Sequence, residues 1–156
     1  MTPPTAACGL LIRRSASAVF EAFVDPETTR RFWFTHGSGR LAPGARIDWT
    51  WAMYGFTSPV TVTLFETDRR LAVDWGEGRD ATRVEWRFEP RGDHCFVSVS
   101  HSGFAGDADA QMAAALDGMN GFSLVLAGAK IWLEHGIEPR FVLDRHPDAH
   151  RPGWEE

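Results

Sequence analysis

The stretch that decides the fold runs from Val97 to Gly136, where VSVSHSGF (97–104) gives way to a helical pattern closing in KIWLEHG (130–136). Val97, Val99 and His101 share one face of the strand and Ser98 and Ser100 the other, because successive side chains point to opposite sides of a sheet. From about Asp109 the period becomes 3.6. Met112, Leu116, Met119, Phe122, Leu126, Ala129 and Leu133 then read as one apolar stripe. Each large member is worth roughly 1.5–3 kcal/mol when buried, so the helix is expected to lie across an apolar sheet face. Gly118, Gly121 and Gly128 each cost such a helix roughly 1 kcal/mol relative to Ala, and are expected where the bulk of a Trp-lined sheet comes close. Gly136 suits the residue just past the helix end.

The rest of the chain supplies the sheet. Cys8–Arg14 reads as a first strand, Ser17 as the N-cap of a short helix with Val19, Phe20, Phe23 and Val24 inward, and Glu27–Phe32 as a second helix begun by Pro26. HGSGRLAPG is read as a loop. Ile47, Trp49, Trp51 and Met53 then share a face, as do Leu71, Val73 and Trp75, and Val84, Trp86 and Phe88. PRGD, like GEGRD, is a turn, and short strands between tight turns predict an antiparallel meander.

Composition bounds the function. The 156 residues suit one domain, taken as 1–136, with a tail over 137–156 that packs on it or on a neighbour. Phe141, Val142 and Leu143 in that tail are apolar enough to seek cover, which allows a homodimer. A net charge of −5 with a single Lys, Lys130, argues against nucleic acid. No signal peptide and no apolar window of bilayer-spanning length is read, so membrane insertion is not expected. Cys8 and Cys95 are read as reduced thiols of a cytoplasmic protein, able to pair only if the fold brings them together. Seven Trp and eleven Phe against one Tyr call for a bulky core or a cavity with broad flat walls.

The order strand, two short helices, about six antiparallel strands, long helix comes with VFEAFVDPETTRRFWF, RRLAVDW, VSVSHSGF and GFSLVLAGAKIWLEHG. Over Leu10–Gly136 the chain resembles the AHSA1-like (Hsp90-ATPase-activator-homologue) family of the START-like, or SRPBCC, superfamily. Gly121, Leu126, Lys130, Leu133 and Glu134 stand where that family's last helix carries its Gly-Trp and Leu-Lys-x-x-Leu-Glu elements, and Ser100–Phe104 where it carries Thr-His-Ser-Gly-Phe. Phe122 replaces the Trp and Ala129 a Leu, so the cavity is expected to be roomier there. The resemblance implies an α+β helix-grip fold (START-like, Bet v 1-like), an antiparallel sheet curved around the C-terminal helix, enclosing a hydrophobic ligand cavity. Superfamily members bind lipids, polyketides, hormones or aromatics, and a minority catalyse reactions such as cyclisation.

The expected cavity residues are Trp33, Trp49, Trp51, Trp75 and Trp86, with His101, Phe104, Met119, Phe122 and Leu126. The Trp set reads equally as plain core. Trp33, Phe34 and His36 are read either as a lid at the cavity mouth or as cover for a helix end. His101 has a structural reading, a hydrogen bond to the following turn or a helix backbone group, beside a functional one as polar anchor for a ligand. It is the one catalytic candidate, and parity gives it no ionisable partner; Asp48 and Glu85 are read as facing solvent. His146 and His150 lack a third ligand, so no metal site is expected, and no cofactor is called for. The leading expectation is binding of a small hydrophobic or aromatic molecule, with a cyclase or aromatase-like enzyme as the alternative. An Hsp90 co-chaperone role ranks last, since such activators carry an additional N-terminal domain.

Overall fold

A computed structural model of the chain describes residues 2–155. β1 (Ala6–Ile12) leads into α1 (Ala16–Val24). Its N-cap is Ser15, not Ser17: Ser15 has the extended backbone a cap requires, and its hydroxyl accepts from the Ala18 N–H at 3.2 Å. Asp25 caps α2 (Pro26–Thr29), which stops short of Phe32. There the buried Thr29 hydroxyl donates back to the Ala22 carbonyl at 2.6 Å, and Phe32, Trp33 and Phe34 turn into the core as a loop.

Six further strands follow: β2 (His36–Gly37), β3 (Arg46–Trp51), β4 (Phe56–Glu66), β5 (Arg70–Trp75), β6 (Thr82–Arg91) and β7 (His94–Ser102). With β1 they form one seven-stranded antiparallel sheet in the order β1-β7-β6-β5-β4-β3-β2. β2 lies inside the stretch expected to be loop, recruited by His36 pairing with Thr50 and Gly37 with Trp49. Pro90 and Arg91 belong to β6 rather than to a turn, because β6 and β7 pair as far as Arg91 opposite His94. The inner face reads as alternation requires, with Trp86 opposite Val99 and Phe88 opposite Val97, all buried. On the outer face Glu85 is not on solvent. Arg70 at 2.8 Å, Arg87 at 3.4 Å and Arg83 at 3.9 Å cover its carboxylate, whose side chain is 14% exposed. Cys8 lies opposite Val99 and Cys95 opposite Ile12, so the two thiols sit on different rungs and are free. Burial raises both thiols above their usual range, Cys95 to about 11, so neither is a thiolate at neutral pH.

The sheet curls around α3 (Ala108–His135), the helix-grip arrangement. Asp107 caps its start, accepting from the Ala110 N–H at 2.8 Å, and Gly136 closes its end in the left-handed conformation. At that end Lys130 Nζ donates to the Leu11 carbonyl at 2.8 Å and to Glu134 at 2.6 Å, tying α3 to β1.

The buried stripe of α3 is Ala115, Phe122, Val125, Leu126 and Ala129; Met112, Leu116 and Met119 are exposed. The single stripe expected from sequence is therefore two. Each of these three precedes Phe122, Leu126 or Ala129 by ten residues, and ten residues at about 100° each fall about 80° short of three full turns. The helical glycines meet bulky neighbours, but not Trp: Gly118 faces His101, Gly121 faces Arg145, and Gly128 faces Phe32 and Pro139. By length and composition α3 could cross a bilayer, contrary to the sequence reading, although its lower half packs against the sheet.

The tail folds back on the open end of the sheet. α4 (Phe141–Arg145) follows Arg140, which takes a left-handed φ of 59°. Tyr54 donates its hydroxyl proton to the Val142 carbonyl, and His150 Nε2 lies 2.6 Å from the Leu143 carbonyl. The Arg151 N–H donates to the Met53 carbonyl at 2.7 Å.

Candidate functional site

Between α3, the sheet and the tail lies a hollow of about 450 Å³ with mostly apolar walls. The sheet side presents Trp51, Trp75, Thr82 and His101, continued by Phe104. The helix side presents Ala114, Asp117, Gly118, Gly121, Phe122 and Val125. Val142, Arg145 and His146 of the tail close it beside Tyr54 and Phe56.

Trp33 forms the floor. Its ring centroid lies 4.8 Å from Trp49, 5.5 Å from Phe122, 5.9 Å from Trp75 and 6.1 Å from both Trp51 and Trp86. It is therefore the hub of the aromatic cluster rather than a lid, while Phe34 stacks on Trp49 at 5.3 Å and His36 is exposed on β2. Such edge-to-face and offset contacts fix ring orientation beyond simple burial. Trp51 and Trp75 stack at 5.8 Å with an interplanar angle of 24°, giving the hollow a continuous flat wall.

Six of the ten residues singled out from sequence, Trp33, Trp51, Trp75, His101, Phe104 and Phe122, line this hollow. The other four do not. Trp49, Trp86 and Leu126 are core, buried outside the lining of the hollow. Met119 is 40% exposed, on the rotated stripe. Of the two positions expected to enlarge the cavity, Phe122 lines the hollow, and Ala129 is fully buried outside it.

His101 is 8% exposed and wedged among rings, stacked on Trp75 at 5.7 Å and edge-on to Phe104 at 4.7 Å. Its Nε2 shares a 2.8 Å hydrogen bond with Thr82 Oγ1 on the neighbouring strand, not with a turn or helix group. Its Nδ1 is buried with no partner among the described residues. Burial lowers its pKa to about 4, against a smaller upward pull from the Asp117 charge, so the imidazole is neutral near pH 7.

This has a measurable consequence. Because the folded pKa lies below the unfolded value of 6.5, the unfolded chain takes up this proton first as pH falls. Stability is full above about pH 6.5 and is lost toward about pH 4, by at most roughly 3 kcal/mol from this one group. Urea titrations at neutral pH and near the lower limit should show a smaller acid loss in His101→Gln than in the parent. Equal losses would mean that His101 is not held neutral by the fold.

Ionisable groups reach the His101 end of the hollow from other elements, though none of them bonds to the imidazole. Asp117 on α3 accepts from Arg145 Nη2 at 2.7 Å, and the Asp117 carbonyl accepts from the same nitrogen at 3.2 Å. Tyr54, Arg145 and His146 were not legible as site residues, because neither the tail nor the single turn Ala52–Tyr54 after β3 has a period, and Asp117 reads as an ordinary polar position of α3. The available signal was the pair Gly118 and Gly121 on one helix face. Among the described residues no group of three or more His, Cys, Asp or Glu is placed to hold a metal ion.

Comparison with known proteins fits this geometry. The family model described as Activator of Hsp90 ATPase homolog 1-like protein matches residues 13–128. No curated protein matches the chain. Among solved structures, protein SSP2350 from Staphylococcus saprophyticus is similar at 26% identity and a TM-score of 0.77, over 88% of this chain and 96% of that one. The Aha1 dimer from Colwellia psychrerythraea shares the fold at 17% identity and a TM-score of 0.71, over 85% of this chain and 98% of that one. DynU16, from the dynemicin biosynthetic locus, does so at 18% identity and 0.70, over 86% of this chain and 48% of its own. A match over most of the sequence, together with the curled sheet gripping α3, makes the chain a member of the Activator of Hsp90 ATPase homolog 1-like family.

Proposed function

We propose that the protein binds a small hydrophobic or aromatic molecule in the hollow between the sheet and α3. One observation carries this reading: the flat wall of Trp51 and Trp75 and the floor of Trp33 face about 450 Å³ that no side chain fills. Protein interiors otherwise pack as densely as organic crystals, and ligand pockets of roughly 300–1,000 Å³ have this apolar lining with few polar groups. Titration with flavonoids, fatty acids and fused-ring aromatics should quench the Trp fluorescence saturably for at least one class. Absence of saturable quenching across the panel would refute binding.

The likeness to DynU16, a protein of a biosynthetic locus, supports a second reading, in which the same hollow hosts a cyclase-like reaction. It requires turnover that His101→Ala abolishes while ligand quenching persists. The likeness to Aha1, described as a dimer, and the exposed Met112, Leu116 and Met119 support a homodimer. Sedimentation equilibrium showing only monomer would remove it.

A further inference from the structure

Two glycines on α3 mark the polar end of the hollow. A Cβ on Gly118 would come within 2.9 Å of His101 Nδ1, and one on Gly121 within 2.8 Å of Arg145 Nη1. Both positions line the hollow. Residues three apart on a helix are neighbours, with Cβ positions roughly 5–6 Å apart. Glycine weakens a helix interior, yet α3 keeps one at each of the two places where a polar atom from another element reaches it.

Neither of those atoms bonds to a described residue. His101 Nδ1 is buried with no partner, and none of the described residues accepts from Arg145 Nη1. The guanidinium is held through its other nitrogen, Nη2, by Asp117, whose side chain is 70% exposed and grips it from the solvent side. The Arg145 side chain is itself only 19% exposed. A planar guanidinium fixed at one nitrogen keeps the other as a donor, and its fork matches a carboxylate.

We propose that the ligand is an aromatic acid: a flat ring system lying on Trp51 and Trp75, with a hydrogen-bonding group at His101 and, about one helical turn away, an anionic group at Arg145. The proposal rests on the hollow being a binding site and adds the chemistry of its occupant. An anion fits better than a cation because the unused hydrogen-bonding capacity at Arg145 is a donor, and the Asp117 carboxylate on the lining is already engaged by it.

The test uses a matched set on the full chain: a naphthoate with a hydroxyl meta to the carboxylate, its methyl ester, and naphthylmethylamine, each titrated by Trp quenching. The acid should bind at least about tenfold more tightly than the ester, as a charge-assisted hydrogen bond would give. Arg145→Met should bring acid and ester to within about twofold of each other, chiefly through weaker binding of the acid. Gly121→Ala, which keeps Arg145 but crowds Nη1, should also shrink the acid's advantage and guards against a loosened tail in Arg145→Met. An ester that binds as well as the acid, or an amine that binds better, overturns the proposal and leaves the binding site standing. If none of the three binds, the aromatic-acid proposal falls, and the flavonoid and fatty-acid titrations decide separately whether the hollow binds anything.

Discussion

Trp86→Ala is expected to lower the stability of the protein by about 3–5 kcal/mol, the range for deleting a large buried aromatic. Trp86 is 1% exposed and touches Trp33, Phe23 and Phe122 with ring centroids at 6.1, 5.8 and 6.1 Å. Truncation would remove the layer that joins the sheet to both α1 and α3. Trp86→Phe should cost much less, below about 2 kcal/mol, because the indole Nε1–H is buried without a partner and its loss leaves nothing unmet. Urea unfolding with an unchanged m-value reads both. A loss under about 1 kcal/mol for Trp86→Ala would place this indole outside the core.

Ala114→Trp is expected to do the opposite, abolishing binding while sparing the fold. Ala114 is half-buried on the helix side of the hollow, and a new indole there would project into a space of about 450 Å³. Ligand and indole cannot share it, so affinity for any aromatic that quenches the parent should fall at least about a hundredfold. The stability change should stay within about 1 kcal/mol, since Trp costs a helix only tenths of a kcal/mol relative to Ala at a site with room. The pair separates core from cavity: one Trp is removed where the interior is full, the other added where it is empty. Undiminished affinity in Ala114→Trp would locate the ligand elsewhere.

The sheet was legible because alternation is a strong signal when one face is buried. Val84, Trp86 and Phe88 lie inward as parity requires, and so do Trp49, Val73, Val97 and His101. What parity cannot show is which inward residue meets another side chain and which meets empty space. Trp49 and Trp75 have the same parity, yet one is core and the other a wall. The difference is what lies over them: Phe34 and Trp33 cover Trp49, whereas Trp75 faces the hollow.

The helix was misread through its rotation, because two apolar arcs about 80° apart are hard to separate over 28 residues by counting threes and fours. Of the polar end of the hollow only His101 was legible. Asp117 comes from α3 and Arg145 from the tail, and only the tertiary fold brings them beside it.

The strand order also governs how the chain assembles. From β3 to β7 each strand pairs with the one before it in sequence, so these hairpins need only short loops to close. β1 is different: Ala6 lies opposite His101, and the strand has no other neighbour in the sheet. During synthesis the first strand therefore emerges with its partner still unmade and waits, unpaired, for almost the whole domain. Its docking closes the longest loop of any strand pairing in the sheet, whose entropy must be met before any contact repays it. The Lys130–Leu11 clasp also needs both ends of the chain, so it forms in the same late step. The edge that carries Gly9 and Leu10 is thus the segment most exposed to mispairing with other chains while the protein folds.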